Sequence, residues 1–194
     1  MDSQQQFELY KTAIIAGSGL LCALIGGGTS YLIATHVYRK QKRHDNQRIA
    51  ISNFASTSTS FGQSYHDYFQ TEITGQYLEK VNNANPSQLG KSEFYESRKH
   101  AYYLMSVLTK DRKEVIEALS MIELYFIFDN QAQQKMDAVY KLINIRIETS
   151  PIGKNAQELD VWRKNKLLEL ANHIEISFSY VTSELLILLK SKLN

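Results

Sequence analysis

The sequence has very little cysteine and proline. Its single cysteine, Cys22, has no partner within the chain, so an intramolecular disulfide and a cysteine-based zinc site within one protomer are both excluded. Two prolines in 194 residues, with twelve tyrosines and 43% hydrophobic residues, argue against a disordered or linker-rich chain. We therefore expect a folded core, organised as one domain with an appendage.

Common catalytic motifs are also missing. There is no G-x-S-x-G elbow, and the glycine-rich stretch GGGTS lacks the lysine of a P-loop. The histidines His44, His66, His100 and His173 are too scattered to form the i, i+4 pair of a helical zinc site. His66-Asp67 is similar to the metal-binding pairs of HD phosphohydrolases. A membrane-attached metal phosphohydrolase is therefore one alternative function for this chain, besides the two given at the end of this section. We expect a protein that is not an enzyme and that has no cofactor or metal.

Positive charge is concentrated near the amino end. Six of the 22 Lys and Arg residues lie within the first 48 residues, with only three of the 20 Asp and Glu residues. The rest of the chain is close to neutral, so a surface for DNA or long RNA is not expected.

An uncharged segment precedes the basic cluster RKQKR. No Asp, Glu, Lys or Arg occurs between Thr12 and Tyr38, a length that suffices to cross roughly 30 Å of hydrocarbon. The segment predicts a transmembrane helix in contact with lipid, with a cleaved signal peptide as the alternative. Because basic residues favour the cytoplasmic side, RKQKR predicts a single-pass protein of the bacterial inner membrane with its amino terminus outside. The expected parts are an outward-facing tail (1–11), the transmembrane helix (12–38), a basic juxtamembrane segment (39–48) and a cytoplasmic helical domain (49–194).

Small residues recur along this segment at helical spacing. On a helix these residues would form one stripe, with Gly27 next to it. The residues of the stripe are Ala16, Gly19, Ala23, Gly26 and Ser30. Small-residue seams let helices approach closely in lipid, so the stripe predicts a homo-oligomeric bundle. An anchor with incidental glycines is the alternative.

The remainder of the chain predicts an all-α domain. Helical periodicity covers Tyr65–Val81 and Ser92–Lys110, a third helix is expected after a cap at Asp111, and a fourth is expected from a cap near Asn130 to about Ile147. Asn155–Leu193 contains no proline or glycine and predicts a long final helix, packed in the domain core or against copies of itself. The Ser- and Thr-rich stretch 49–68 is compatible with a helix or a loop.

One stretch, FYESRKHAYYLM, combines basic and aromatic residues. The candidate ligand-binding residues are Tyr95, Arg98, Lys99, His100, Tyr102 and Tyr103. An arginine at the edge of a core needs an anionic partner, and tyrosines one turn away stack well on nucleobases. The alternative is an ion pair between Arg98 and a helix carboxylate, with the tyrosines as ordinary amphipathic core residues.

This layout resembles that of the CRISPR-associated membrane effectors activated by cyclic tetra-adenylate. The resemblance rests on the short tail, the glycine-bearing segment Ala13–Tyr38, RKQKR, and a small domain without enzymatic motifs. It implies a homotetramer in antiviral defence that binds the cyclic nucleotide and rearranges its transmembrane helices to disrupt the membrane. The alternative from another class is a single-span scaffold or adaptor that recruits a protein partner through its helical domain.

Overall fold

The protein is all-helical in the part of the chain that the structure describes. The computed structural model describes residues 3–84, 88–152 and 155–193, with side chains at Glu8, Lys11 and Ser18 and over 25–83, 92–152 and 155–193. The elements are α1 (Ser3–Ala84), α2 (Gln88–Tyr125), α3 (Asn130–Asn144), α4 (Ala156–Ala171), a π-helical segment (Asn172–Phe178) and α5 (Ser179–Ser191). The prediction of an all-α fold is confirmed.

The predicted transmembrane helix over 12–38 is wrong. Within the described residues, no helix combines the length and the apolar character that crossing a bilayer requires. This finding covers the side chains that the structure describes, which in the predicted segment are Ser18 and 25–38. Gly26, Gly27 and Gly28, followed by Thr29 and other hydroxyl-bearing residues, contribute little to transfer into hydrocarbon. The predicted single-pass, inner-membrane location is contradicted by the same finding.

The chain divides into two compact units, 1–45 and 46–194. In the first unit, Gly26, Gly27 and Ser30 of the predicted small-residue stripe are exposed. A Cβ added at Gly26 or Gly27 would meet no atom within 4 Å. The side chains of Ala16, Gly19 and Ala23 lie outside the described residues, so packing of this stripe against other copies stays a prediction.

The core of the second unit begins on α1. Buried side chains recur on one face of this helix every three or four residues, and they include Ala50, Phe54, Ser58, Phe61, Tyr65, Phe69 and Ile73. The stretch 49–68 is therefore helix and not loop. Its hydroxyl groups do not disrupt the helix because they bond within it: Thr57 Oγ1 donates to the carbonyl oxygen of Asn53 at 2.9 Å, and Thr59 Oγ1 to that of Ala55 at 2.9 Å.

Helix α2 continues without a break through Asp111, so the predicted start of a new helix there is wrong. No glycine or proline lies nearby to end the helix. Lysine and glutamate pairs one turn apart, Lys110 with Glu114 and Lys113 with Glu117, each at 3.6 Å, support the helical conformation. Asp111 is compatible with a cap position but lies in a helix interior.

The third and fourth α-helices each begin with a side-chain cap. Asp129, and not the predicted Asn130, accepts a hydrogen bond from the backbone amide of Ala132 at 2.8 Å. Asn155 accepts one from the amide of Glu158 at 2.9 Å. Helix α3 ends at Asn144, earlier than the predicted end near Ile147, which is buried in the following connection.

The long final helix is present, but it contains a wide turn that its sequence did not predict. The backbone amide of Ser179 bonds to the carbonyl oxygen of Ile174, five residues earlier, and Ser179 Oγ donates to the same oxygen at 2.9 Å. This i to i+5 pattern inserts one extra residue into the helical turn. Its inward face carries Trp162, Leu170 and Phe178 into the core.

Candidate ligand-binding cavity

The basic and aromatic residues predicted to bind a ligand lie on α2. The guanidinium group of Arg98 forms an ion pair with Glu72 of α1, with 2.8 Å between Nη1 and Oε1. Its central carbon also lies 5.6 Å from the ring centroid of Tyr102. The anionic partner of Arg98 in the structure is thus a helix carboxylate, as the alternative interpretation held.

The other predicted residues do not converge on one enclosed site. Tyr95, Tyr102 and Tyr103 are each more than three-fifths exposed, and Lys99 is exposed as well. The ring of His100 lies 6.2 Å from that of Tyr103 in a stacked orientation. Their role in ligand binding stays a prediction.

His100 lines an open groove of about 670 Å³ between α1 and α2. The side chains of Asp67 and Glu96 also line this groove. Two carboxylates disfavour a bound anion such as phosphate, since like charges repel at short range. This groove is a poor match for a nucleotide.

A second, smaller cavity of about 300 Å³ has the opposite charge character. Four aromatic residues of α1, four residues of α2, and residues from the end of α3 and the following connection line it. They are Phe61, Tyr65, Tyr68, Phe69, Met105, Leu108, Thr109, Arg112, Ile143, Ile145, Arg146, Ile147 and Thr149. None of these lining residues is acidic.

The aromatic wall of the cavity follows from the spacing of residues on α1. Side chains three or four positions apart share one face of a helix, so Phe61, Tyr65, Tyr68 and Phe69 are neighbours. The ring centroids of Tyr65 and Phe69 are 4.5 Å apart, and those of Tyr68 and Phe69 are 4.9 Å apart with an edge-on geometry. These contacts hold the rings in fixed orientations.

Tyr65 also fastens the connection between α3 and α4. Its hydroxyl group donates to the carbonyl oxygen of Ile145 at 3.1 Å. Burial raises the pKa of Tyr65 well above its ordinary value, against the opposing effect of a backbone hydrogen bond from Ile147. The phenol therefore stays neutral and keeps its role as a donor.

Two arginines supply positive charge at the cavity. Arg112 donates a hydrogen bond to Asn144 Oδ1, and its charge acts on the phenol of Tyr65. Arg146 is exposed, and its charge acts on the phenol of Tyr68. Among the described residues, neither guanidinium group forms an ion pair with a carboxylate; the ion-paired arginines are Arg98 and Arg163. Both groups thus retain donors for an anion.

His173 of the π-helical segment lies behind the aromatic wall. Its ring centroid is 5.0 Å from that of Tyr65, and its Nε2 atom is buried with no hydrogen-bond partner in the described part of the chain. Burial lowers the pKa of His173, partly offset by a hydrogen bond to the backbone of Leu142 and by the charge of Glu169. Burial thus favours the neutral form of the imidazole.

Comparisons with protein-family models, curated proteins and solved structures found no match for this chain.

The cavity residues were not singled out from the sequence. Arg112 lies between Lys110 and Lys113 in a pattern typical of an exposed basic surface, and Arg146 follows a helix end where no motif occurs. The one available signal was the aromatic spacing on α1, which is equally typical of an ordinary core.

Proposed function

We propose that residues 46–194 form a binding module for a small anion that carries a flat aromatic group, of the nucleotide class. The observation that supports this is the placement of Arg112 and Arg146 at a cavity whose remaining wall is apolar apart from Thr109 and Thr149. Ligand sites in proteins commonly combine a mainly apolar lining with a few polar groups that orient the ligand.

The arginines and the aromatic rings of the cavity match the two parts of a nucleotide, its phosphate and its base. Guanidinium groups bind phosphate through paired N–H donors, with a geometry that a lysine cannot provide. Stacking of a nucleobase on an aromatic side chain contributes about 1–3 kcal/mol. Tyr68, which is less buried than Tyr65, is the ring that we expect the base to contact.

The size of the cavity limits the ligand. At about 300 Å³ it lies at the lower end of the range of roughly 300–1,000 Å³ that is usual for small-molecule sites. One nucleotide unit is the expected occupant of each cavity. Cyclic tetra-adenylate, the ligand implied by the resemblance above, would place one of its four nucleotides in a cavity and the others outside it.

Isothermal titration calorimetry of the full chain tests this proposal. The probes are adenosine 5′-monophosphate, cyclic tetra-adenylate, adenosine and inorganic phosphate, which separate the contribution of the base from that of the phosphate. We expect binding of at least one nucleotide, weaker binding of adenosine, and the weakest binding of phosphate. The absence of heat with both nucleotides would contradict the proposal.

Substitution of the arginines locates the site. Arg112→Gln and Arg146→Gln should each weaken nucleotide binding by about tenfold or more, because a hydrogen bond to a charged group contributes about 1.5–3 kcal/mol. Lys113→Gln is the matched control, since it removes the same charge from the next residue of α2, which lies outside the cavity lining. Equal losses in all three variants would indicate a general charge effect and not a site.

A further inference from the structure

An exposed tyrosine of α2 lies next to the rim of the aromatic cavity. Met105 lines the cavity and is 51% exposed, so the rim is open at this residue. Tyr102 precedes Met105 by three residues, which is about 4.5 Å along the helix axis and about 60° around it. Side chains at this spacing are neighbours on a helix surface. The ring of Tyr102 therefore stands beside the open part of the rim.

The rim on the α1 side leads to the same tyrosine. Glu72 lies one helical turn after Tyr68, whose ring lines the cavity. The carboxylate of Glu72 pairs with Arg98 at 2.8 Å, and the guanidinium carbon of Arg98 lies 5.6 Å from the ring centroid of Tyr102. The charges of both Arg98 and Arg146 act on the phenol of Tyr68. A short series of contacts thus joins the ring inside the cavity to the ring outside it.

These contacts give Tyr102 a defined position although its side chain is exposed. Glu72 is largely buried and holds Arg98, which in turn lies against the ring of Tyr102. The charge of Glu72 is compensated by Arg98, so this carboxylate does not oppose an anion nearby. An accessible aromatic ring that is held in place is a stacking surface for a planar group such as a nucleobase.

The face of α2 that joins Tyr102 to the cavity has no acidic residue over positions 95–112. Within a quarter turn of Met105 on either side, the charged residues of this stretch are Arg98 and Arg112. Its two carboxylates, those of Glu96 and Asp111, are on the opposite half of the helix. An anionic ligand that extends along α2 from the cavity to Tyr102 therefore meets basic and aromatic side chains of this helix.

We propose that the ligand of the cavity is a short oligonucleotide of at least two units, whose second base stacks on Tyr102. This inference rests on the nucleotide site proposed above. A cavity of about 300 Å³ accommodates one unit, so the next unit of the same ligand lies outside the rim. Stacked bases of one strand are about 3.4 Å apart, which is comparable with the distance of about 4.5 Å along α2 from Met105 to Tyr102.

Tyr102 is thus a residue that determines specificity. The cavity residues bind the first nucleotide, and the second stacking surface distinguishes a linked pair of nucleotides from a single one. If Tyr102 is only an exposed surface residue, a second base adds no affinity.

Isothermal titration calorimetry of the full chain with three adenine probes tests the second base. The probes are adenosine 5′-monophosphate, adenosine 3′,5′-bisphosphate (pAp) and the linear dinucleotide 5′-phosphoadenylyl adenosine (pApA). The bisphosphate carries a second phosphate without a second base, so it separates stacking from added charge. We expect pApA to bind about fivefold or more tightly than pAp, because stacking of one base on an aromatic ring gives at least this gain.

Substitution of the tyrosine locates the second base. Tyr102→Ala should weaken pApA binding by about fivefold or more and leave the affinity for adenosine 5′-monophosphate unchanged. Tyr102→Phe retains the ring and should retain the affinity. Tyr103→Ala is the matched control, because Tyr103 is 63% exposed, as against 68% for Tyr102, and its ring lies against His100 on the other side of α2. Circular dichroism confirms that each variant is folded.

The outcomes separate this inference from the proposed function. If none of the three probes binds, the proposed nucleotide site is wrong and the inference fails with it. If adenosine 5′-monophosphate binds but pApA binds no more tightly than pAp, the nucleotide site stands and the inference is overturned. Equal loss of pApA binding in Tyr102→Ala and Tyr103→Ala, or no loss in Tyr102→Ala, would overturn it as well.

Discussion

The hydroxyl group of Tyr65 donates a hydrogen bond to the carbonyl oxygen of Ile145, 3.1 Å away across 80 positions of sequence. This bond joins α1 to the connection that follows α3, and both residues line the cavity. The ring of Tyr65 also contacts Phe69 and His173. A single side chain thus contributes to the core, to the cavity wall and to the position of the loop that carries Arg146.

Removal of that hydroxyl group should have a modest and measurable effect. We expect Tyr65→Phe to lower the free energy of unfolding by about 1 kcal/mol, because one hydrogen bond is lost while the ring remains. Urea denaturation followed by circular dichroism measures the change. Tyr95→Phe, at an exposed position, is the control and should leave the stability unaltered. Equal stability of the wild type and Tyr65→Phe would mean that the loop does not depend on this bond.

Two helical glycines on α1 should respond differently to alanine. A Cβ at Gly62 would lie 3.9 Å from Ile174 and Phe178, at ordinary contact distance. Gly62→Ala should therefore stabilise the protein by about 0.5–1 kcal/mol, since glycine disfavours a helix interior by that amount. A Cβ at Gly75 would lie only 3.0 Å from Ser97 Oγ, so the serine must move. The gain from Gly75→Ala should be smaller or absent, and thermal unfolding of both variants makes the comparison.

The ion pair of Arg98 with Glu72 should matter more than pairs on the open surface. Glu72 is largely buried, with 13% of its side chain exposed, whereas Lys113 and Glu117 are mostly exposed. We expect Arg98→Met to lower the free energy of unfolding by about 1–3 kcal/mol, because it leaves a buried carboxylate unpaired. Lys113→Met should have an effect below about 0.5 kcal/mol.

The same Arg98 variant separates the cavity from the ligand site predicted on α2. If Arg112 and Arg146 hold the nucleotide, Arg98→Met should bind it with unchanged affinity, as calorimetry measures. A selective loss of binding in Arg98→Met would favour the sequence-based site instead.

His173 should make stability depend on pH. Because burial lowers its pKa below the ordinary value of 6.5, the unfolded chain binds more protons than the folded chain between these two pKa values. Stability is therefore fully present above about pH 6.5 and declines as the pH falls from there toward the folded-state pKa. Urea unfolding midpoints at about pH 7.5 and about pH 5.5 measure this effect.

An uncharged replacement provides the control for this prediction. His173→Asn retains a donor for the backbone of Leu142 but cannot take up a proton in this range. The variant should lose part of the difference between the two midpoints. An unchanged pH dependence would assign the effect to other groups.

Local sequence signals predicted the helical character of the chain and several of its boundaries. The helix expected from near Asn130, whose cap is Asp129, and the final helix expected from Asn155 begin where side-chain and backbone preferences within a few residues place them. The separate helix expected at Asp111 was wrong because a cap residue is also tolerated in a helix interior when nothing nearby ends the helix. The transmembrane prediction was wrong for the described residues because it counted charges, whereas the stretch from Gly26 to Ser30 contributes little apolar character.

The candidate site could not be predicted in the same way. Tyr65, Arg112 and Arg146 are far apart in sequence, and no local pattern specifies that their side chains meet at one cavity. The anionic partner of Arg98 is likewise a residue of another helix, Glu72, which only the packing of α1 against α2 brings within 2.8 Å.

The amino-acid sequence by itself determined that this protein is helical and where α3 and the final helix begin, because propensity, capping and the 3.6-residue period are local properties. Tertiary packing decided which aromatic and basic side chains share a cavity and which face of the final helix stays exposed. The wide turn at Asn172–Phe178 is a further feature that no local signal in the sequence predicted. These features depend on contacts between distant parts of the chain. At such contacts, the free energy gained by burying side chains is larger than that of local helix preferences.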